Sequence, residues 1–332
     1  MKEISGMRGM KNMKLDWKLL VLVLMMVILV GCVAKATEAP KPTEVVEPAR
    51  EGVYYFLAGN NSDPFYIPGV KGFTEASKSV GMKSEFVGPM DANTAAQMKT
   101  FEELVANPNT KGIFWYPADF NTGEPFVKAA VEKGIPMVIG AADSPYKTRD
   151  AFIGYNNTVL GNQAAEWAAE LIGCEGSVGT IAINGANLTE RTEAFNKHIV
   201  EICPNVVVEE RASHDGSAAS ATSAIEAYLV AHPDLSLLWF ADGAAGQQVQ
   251  TWKDKQDAGV KTMFLATDMP PATLQAVKDG IFVGSVGQDT YTEEYFGVLL
   301  LDALSKGLRV PDTLYLSAIM VDKSNVDQFL GK

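Results

Sequence analysis

Residues 53–66 read Val-Tyr-Tyr-Phe-Leu-Ala-Gly-Asn-Asn-Ser-Asp-Pro-Phe-Tyr, and this stretch indicates the fold. The apolar run Val53–Ala58 predicts a buried strand, and Gly59 to Asp63 predict a polar turn. A helix should follow, because apolar residues then recur at spacings of three and four: Tyr66, Val70, Phe73, Ala76 and Val80. Strand, polar turn and amphipathic helix together form one βα unit.

The rest of the chain repeats this unit, and most strand starts recur every 24 to 30 residues. The predicted strands are Val53–Ala58, Lys83–Val87, Gly112–Tyr116, Pro136–Gly140, Thr180–Asn184, Val206–Arg211, Leu235–Ala241, Thr262–Thr267 and Phe282–Val286. Parallel strands joined by right-handed helical crossovers are the natural outcome of such alternation. We therefore predict an α/β protein with mostly parallel sheets flanked by helices.

Polar residues cluster where these strands end. Six of the following turns are rich in Asp, Asn and Gly, beginning at Gly59, Pro117, Ala141, Asn184, Ala241 and Thr267. Ligands of open parallel sheets bind outside the carboxyl ends of the strands, so the turns predict a polar cleft. A helix N-cap is the alternative role for any single Asp among them.

Recognisable catalytic motifs are absent from the sequence. It has no nucleophile elbow, no phosphate-binding P-loop and no Gly-x-Gly-x-x-Gly after the first strand. His198, His214 and His232 lack metal-ligand spacing with the cysteines, and only His214 follows a strand toward the cleft. We therefore expect a protein that is not an enzyme and has no catalytic residue, metal or cofactor.

The amino terminus has the pattern of an export signal. A basic leader precedes twelve apolar residues, 19–30, a run too short to cross a bilayer but suited to a signal peptide. Leu29-Val30-Gly31-Cys32 resembles a bacterial lipobox, which predicts cleavage after residue 31 and lipidation of Cys32. An uncleaved anchor with a chance cysteine is the alternative. Either reading puts the remaining chain outside the cytoplasm, held at the cell envelope.

A Pro-rich tether and an acidic body should follow the lipid anchor. Residues 32–51 contain three prolines and no apolar periodicity, which is typical of an extended spacer. Without residues 1–31 the chain keeps 23 basic and 38 acidic side chains, a formal net charge of −15. This charge argues against nucleic acid as a partner.

Cys174 and Cys203 precede predicted strands, each at the end of a predicted helix. Outside the cytoplasm they could form a disulfide. Two buried free thiols are the alternative.

The order of several short motifs resembles that of the ribose-type periplasmic binding proteins, the sugar-binding components of ABC importers. The similar segments are Asp63-Pro64-Phe65-Tyr66, Gly112-Ile113 through Asp119, Pro136–Ile139, Phe152–Gly154, Arg191–Phe195, Ala266-Thr267-Asp268 and Gly287-Gln288. They span residues 52–329, and together they are more specific than any one of them.

The resemblance implies two similar α/β lobes joined by a hinge of three crossings. Lobe one would comprise 52–154 and 289–318, and lobe two 155–288 and 319–332. Such lobes close on a ligand, and a membrane permease recognises the closed form. We expect a monomer.

The resemblance also implies a set of ligand-binding residues. They are Asp63, Phe65, Tyr66, Asp143, Arg191, His214, Asp242, Asp268 and Gln288. Aromatic rings would stack on a sugar face, and the carboxylates would accept hydrogen bonds from hydroxyls. Core packing is the alternative for the two aromatic residues, and Arg191 could serve only to tie its loop to a helix.

Two departures from the family pattern concern arginines. The chain has Ala141-Ala142 where ribose binders carry Asp-Arg, and Thr189 where they carry an arginine that grips the sugar. These changes favour a neutral sugar, a polyol or an amino sugar over a phosphorylated ligand. The alternatives are a nucleoside ligand, or a sensor of this fold that serves a chemoreceptor or kinase.

Overall fold

The computed structural model describes residues 51–330. The predicted signal peptide 1–31, the lipidation residue Cys32 and all but the last residue of the tether 32–51 lie outside this range. No helix in the described range combines the length and the apolar composition needed to cross a membrane.

Within residues 51–330, the first sheet consists of six parallel strands. They are β1 (Val53–Leu57), β2 (Lys83–Val87), β3 (Thr110–Trp115), β4 (Met137–Ile139), β5 (Ala151–Tyr155) and β12 (Thr313–Leu316). Their order is β12-β5-β4-β3-β1-β2. Alternate residues of β1 enter two different cores, because successive strand residues point to opposite faces. Tyr54 and Phe56 pack with helices α1 (Tyr66–Ser79) and α9 (Thr290–Ser305). Tyr55 and Leu57 pack with α2 (Thr94–Ala106) and α3 (Phe120–Glu132).

In the same described range, the second sheet has seven strands and is mostly parallel. They are β6 (Ser177–Ile183), β7 (Val207–Val208), β8 (Ala212–His214), β9 (Leu237–Phe240), β10 (Met263–Thr267), β11 (Gly284–Gly287) and β13 (Ile319–Val321). The order is β13-β11-β10-β9-β6-β7, with β8 also on β6 and β13 antiparallel to β11. Helices α4 (Asn157–Ile172) and α5 (Ala186–Ile202) cover one face, and α6 (Ala218–Ala231), α7 (Val249–Asp257) and α8 (Pro271–Asp279) the other. The predicted α/β class is confirmed.

The predicted strand Val206–Arg211 is wrong in its extent, since the chain forms two short strands there. In β7, Val207 pairs with Ser177, whereas in β8, Ala212 pairs with Ile181. The difference in residue number between the paired residues is larger by one in β8 than in β7, so the segment between these two strands contains a one-residue bulge. Bulges are frequent at sheet edges near binding sites, where they redirect side chains. Here the bulge directs Arg211 toward the end of β6.

Strands β5, β12 and β13 are absent from the sequence-based prediction. The segment of β5 resembled a crossing between lobes, and its residues are in fact fully buried in the first sheet. Strands β12 and β13 have four and three residues. Only two residues separate them, yet they belong to different sheets. The chain thus passes between the sheets at 156–176, 288–312 and 317–318.

Helices α4 and α5 pack closely against each other. A Cβ atom on Gly161 would lie 2.2 Å from the carbonyl oxygen of Arg191, so only glycine permits this approach. A buried stripe of small residues continues the contact, comprising Ala164, Ala165, Ala168 and Ala169. Beyond the two helix ends, Cys174 and Cys203 are joined by a disulfide, with Cα atoms 5.1 Å apart. This packing holds α5, and Arg191 on it, against one face of the second sheet.

Candidate functional site

Asp268 lies directly after β10, at the carboxyl end of the second sheet. Its backbone adopts φ 66°, a strained value for a residue with a Cβ atom, which is typical of functional sites. The side chain is 4% exposed, and no described residue donates a hydrogen bond to Oδ1. Burial raises the pKa of Asp268 to about 7, Arg191 opposes the rise, and the charges of Asp242 and Asp63 add to it. The site thus contains a buried acceptor, Oδ1 of Asp268, for which residues 51–330 provide no donor.

Asp242 follows the neighbouring strand β9, and both of its carboxylate oxygens have hydrogen-bond partners within the second sheet and its loops. Its Oδ2 accepts from the backbone N–H of Ile183 at 2.7 Å and contacts Nε2 of His214 at 2.9 Å. Its Oδ1 accepts from the backbone N–H of Ala244. Asp242 therefore positions the ends of three strands and the His214 ring, and acts on Asp268 through its charge.

Arg191 projects from α5 into the centre of the same cluster. Its guanidinium donates to Oδ1 of Asn157, to the carbonyl oxygen of Ala241 at 2.9 Å and to Oε1 of Gln288 at 3.2 Å. Burial lowers the pKa of Arg191, and the charges of Asp268 and Asp242 oppose this. Arg191 thus joins the first and second crossings between the sheets to the end of β9. Because Gln288 accepts through Oε1, its Nε2 remains as a donor.

Residues that follow β1 of the first sheet lie near this cluster. Asp63 accepts from the backbone N–H of Phe65 through Oδ1. Burial raises the pKa of Asp63, and the charge of Asp242 contributes to the rise. A Cβ atom on Gly243 would lie 2.7 Å from Oδ2 of Asp268 and 3.8 Å from the Phe65 ring. Phe65 follows β1 of the first sheet and Asp268 follows β10 of the second, and both lie near this one point.

Phe65 packs against a cluster of aromatic rings. Its ring lies 5.3 Å from Tyr66, edge to face, and 6.2 Å from Tyr116. Tyr66 also packs against Phe56 and Phe86. Tyr66 thus packs among aromatic rings, and a contact between Tyr66 and a ligand stays a prediction.

Asp143 does not join this cluster. Both of its carboxylate oxygens accept from Arg149, at 2.6 and 2.8 Å, and Lys147 lies 3.6 Å away. The Arg149 side chain is fully buried and bonds Asp312 as well. Burying a guanidinium is costly unless carboxylates pair with it, and Asp143 is such a partner for Arg149.

Sequence reasoning missed Arg211, which the bulge before β8 brings to the site. Its guanidinium donates to Oγ1 of Thr189 at 3.1 Å and to the carbonyl oxygen of Ile183 at 2.7 Å. Burial lowers the pKa of Arg211, and the charge of Asp242 opposes the change. Nothing in the local sequence signalled this role, because 206–211 has the composition of an ordinary strand.

Glu293, in the first turn of α9, and Glu294, which follows it, were also missed. Both are buried, and Oε1 of Glu293 accepts from the backbone N–H of Ala141. Burial raises the pKa of Glu293 to about 7, with the charge of Asp268 adding to the rise. Burial raises the pKa of Glu294 well above its ordinary range, with Glu293 adding to it. Two acids at a helix start usually indicate solvent-exposed capping, so the sequence carried no sign of their burial.

A cavity of about 370 Å³ borders the polar cluster. Its lining includes Gln288, Asp289, Ile67, Met269 and Phe329, drawn from both lobes. Cavities of about 510 and 840 Å³ open at the opposite, amino ends of the strands and contain none of the predicted site residues. The volume beside Gln288 falls in the range that small ligands occupy.

Comparison with known proteins agrees with this architecture. The periplasmic binding protein domain family matches residues 54–309. The xylose/arabinose-binding protein of Sulfolobus acidocaldarius is 21% identical over 301 residues, covering 83% of this chain and 72% of that protein.

Solved structures are similar over nearly their whole length. An arabinose-binding protein from Geobacillus stearothermophilus superimposes with a TM-score of 0.76 at 22% identity, over 85% of this chain and all of the other. A solute-binding protein from Burkholderia graminis, in complex with D-arabinose, gives 0.78 at 25% identity, over 86% and 99% of the two chains. With a family match over more than half its length and two mostly parallel sheets, this chain belongs to the periplasmic binding protein family.

Proposed function

We propose that this protein captures a sugar or polyol between its two lobes and delivers it to an ABC permease. The observation that carries the proposal is the buried carboxylate of Asp268, whose Oδ1 has no donor among the described residues. An unpaired buried acceptor is costly unless a ligand supplies the missing donor. A hydroxyl-rich ligand supplies several donors at once.

The neighbouring groups suit a sugar ring. Nε2 of Gln288 provides a donor, Asp63 provides a second carboxylate, and Phe65 provides a flat apolar surface for the C–H face. Ligand pockets combine such apolar surface with a few polar anchors. Arg191 orients Gln288, so it acts as a positioning residue.

Capture by closure follows from the division of the site between lobes. Phe65 and Asp63 belong to the first lobe, and Asp268 and Asp242 to the second. A ligand that bridges them stabilises the closed arrangement by its contacts to both. Three chain crossings would serve as the hinge.

The ligands of the relatives support a sugar. The Sulfolobus protein is described as binding xylose and arabinose, and the Burkholderia structure holds D-arabinose. Both relatives are solute-binding proteins, which supports a role without catalysis. We extend to this chain an extracytoplasmic location, a lipid anchor on Cys32 and a tether that keeps the receptor close to its permease.

Thermal unfolding of the full chain tests the proposal, in a detergent without a sugar headgroup. The panel comprises pentoses, hexoses, polyols and nucleosides. A ligand at 100 times its Kd adds about 2.7 kcal/mol to the free energy of unfolding. We expect a sugar or polyol to produce this shift, Asp268→Asn to reduce it, and Asp254→Asn on the exposed face of α7 to leave it unchanged. Stabilisation by nucleosides alone would refute the proposal.

A further inference from the structure

The charges that face the gap between the lobes are predominantly negative. Asp268 is buried, and Oδ1 has no donor within residues 51–330. Asp63 uses Oδ1 for the backbone N–H of Phe65, and none of the described residues donates to Oδ2. Asp242 is satisfied by its own lobe, but its charge still acts on the other two. Two acceptor groups therefore remain for a ligand, in a negative field.

The nearby guanidinium groups donate to neutral acceptors, and of their nitrogen atoms only Nε of Arg211 is buried without a partner among the described residues. Arg191 donates to Asn157, Ala241 and Gln288, and Arg211 donates to Thr189 and the end of β6. In the described part of the chain, neither arginine forms a hydrogen bond or ion pair with Asp63 or Asp268. His214 contacts Asp242, which separates it from the two carboxylates that face the gap.

The contact geometry places Phe65 beside these carboxylates. The point that a Cβ atom of Gly243 would occupy lies 2.7 Å from Oδ2 of Asp268 and 3.8 Å from the Phe65 ring. Because residue 243 is glycine, no Cβ atom occupies this point beside the carboxylate and the ring. An aromatic face next to a carboxylate is a favourable environment for an organic cation.

We infer that the preferred ligand carries a protonated amino group, as in an amino sugar or an aminopolyol, and that its ammonium binds Asp268 and Asp63. This inference rests on the proposed function and narrows it. An ammonium group has three N–H donors and no acceptor, so it satisfies both carboxylates without introducing another lone pair. A neutral hydroxyl supplies one donor and leaves the mutual repulsion of the acids in place. Charge-assisted hydrogen bonds are also about twice as strong as neutral ones.

Matched pairs of ligands test the inference on the full chain by titration calorimetry. The pairs are D-glucosamine with D-glucose, D-galactosamine with D-galactose, and 1-amino-1-deoxysorbitol with sorbitol. N-acetylglucosamine serves as an uncharged ligand with a substituent on the same nitrogen. We expect at least one amine to bind about tenfold more tightly than its neutral partner, and more weakly at high salt.

The variants separate a charge effect from a packing effect. Asp268→Asn keeps the shape of the side chain and should reduce the preference for the amine to less than about threefold. Asp254→Asn, which removes an exposed acid from α7, should preserve the preference.

The outcomes also distinguish this inference from the proposed function. Neutral sugars that bind as tightly as their amines, or an unchanged preference in Asp268→Asn, would overturn the inference and leave sugar capture intact. Binding of nucleosides with no binding of any sugar, polyol or amine would overturn both.

Discussion

Replacing Arg191 by Met removes a buried guanidinium and keeps most of the apolar stem in place. The residue is 4% exposed, and its four hydrogen bonds reach three acceptors: Oδ1 of Asn157, the carbonyl oxygen of Ala241 and Oε1 of Gln288. Water can solvate the half-buried Asn157, whereas Ala241 and Gln288 are buried. Each buried acceptor left without a donor costs about 1–3 kcal/mol.

The substitution also removes the positive charge that opposes the negative field at Asp268. Removing one partner from a buried charged network typically destabilises a protein by about 3–5 kcal/mol. We therefore expect Arg191→Met to lower the free energy of unfolding by about 3–5 kcal/mol. Without its positioning hydrogen bond, Gln288 should also contribute less to ligand binding.

Urea unfolding followed by tryptophan fluorescence measures this loss, since Trp239 is buried beside Phe195 on the face that α5 covers. Arg309→Met is the matched control, because Arg309 is exposed, and it should change the free energy by less than about 0.5 kcal/mol. A loss below about 1 kcal/mol for Arg191→Met would show that these hydrogen bonds do not hold the hinge side of the second lobe together.

Three further predictions concern the disulfide, the buried acid and the glycine of the site. Replacing Cys174 and Cys203 by Ser opens a loop with a sequence separation of 29 residues. It should lower the free energy of unfolding by about 3–4 kcal/mol in urea, and an equal stability of variant and wild type under oxidising conditions would contradict this. Burial holds the pKa of Asp268 at about 7, above its ordinary value of 3.8. Between these two pH values the folded state keeps a proton on Asp268 that the unfolded state has released. The free energy of unfolding therefore falls as pH rises from about 4 to 7. Urea titrations at several pH values should show this fall in the free energy of unfolding. In Asp268→Asn the slope should be shallower by up to about 1.4 kcal/mol per pH unit, and identical slopes for variant and wild type would argue against the prediction. Gly243→Ala puts a methyl group 2.7 Å from Oδ2 of Asp268 and should weaken ligand binding about tenfold or more in calorimetry. Gly59→Ala, where the new Cβ atom meets atoms only at 3.6 Å or beyond, is the control, and equal affinities for the two variants would refute the steric argument.

Local patterns were enough to predict most of the fold. Strand β2 has the predicted bounds Lys83–Val87, and the helix predicted from Tyr66 is observed as Tyr66–Ser79. Prediction failed where the pattern was too short or irregular, as in the three-residue strand Ile319–Val321 and the bulge before Arg211. Such strands exist because a neighbouring strand pairs with them, and that neighbour is distant in sequence.

Part of the candidate site was likewise predictable from the sequence, and part was not. Sequence placed Asp268 and Asp242 at strand ends, and strand ends on one edge of a parallel sheet necessarily converge. It did not reveal that Asp143 binds Arg149, because that pair depends on a buried cation that needed neutralising. Nor did it reveal the burial of Glu293, whose partner is the backbone N–H of Ala141.

The sequence by itself determined the succession of strands and helices, the polar turns that follow the strands, and the absence of recognisable catalytic motifs. These properties depend on residue type and spacing within a few turns of chain. Only the tertiary structure decided which polar atoms find partners: within residues 51–330 it satisfied Asp242 internally, engaged Arg191 and Arg211 with carbonyl, amide and hydroxyl oxygens, and left Oδ1 of Asp268 without a donor. The physical reason is that hydrogen bonding and burial depend on distances between segments far apart in the chain, which the local pattern of residues does not encode.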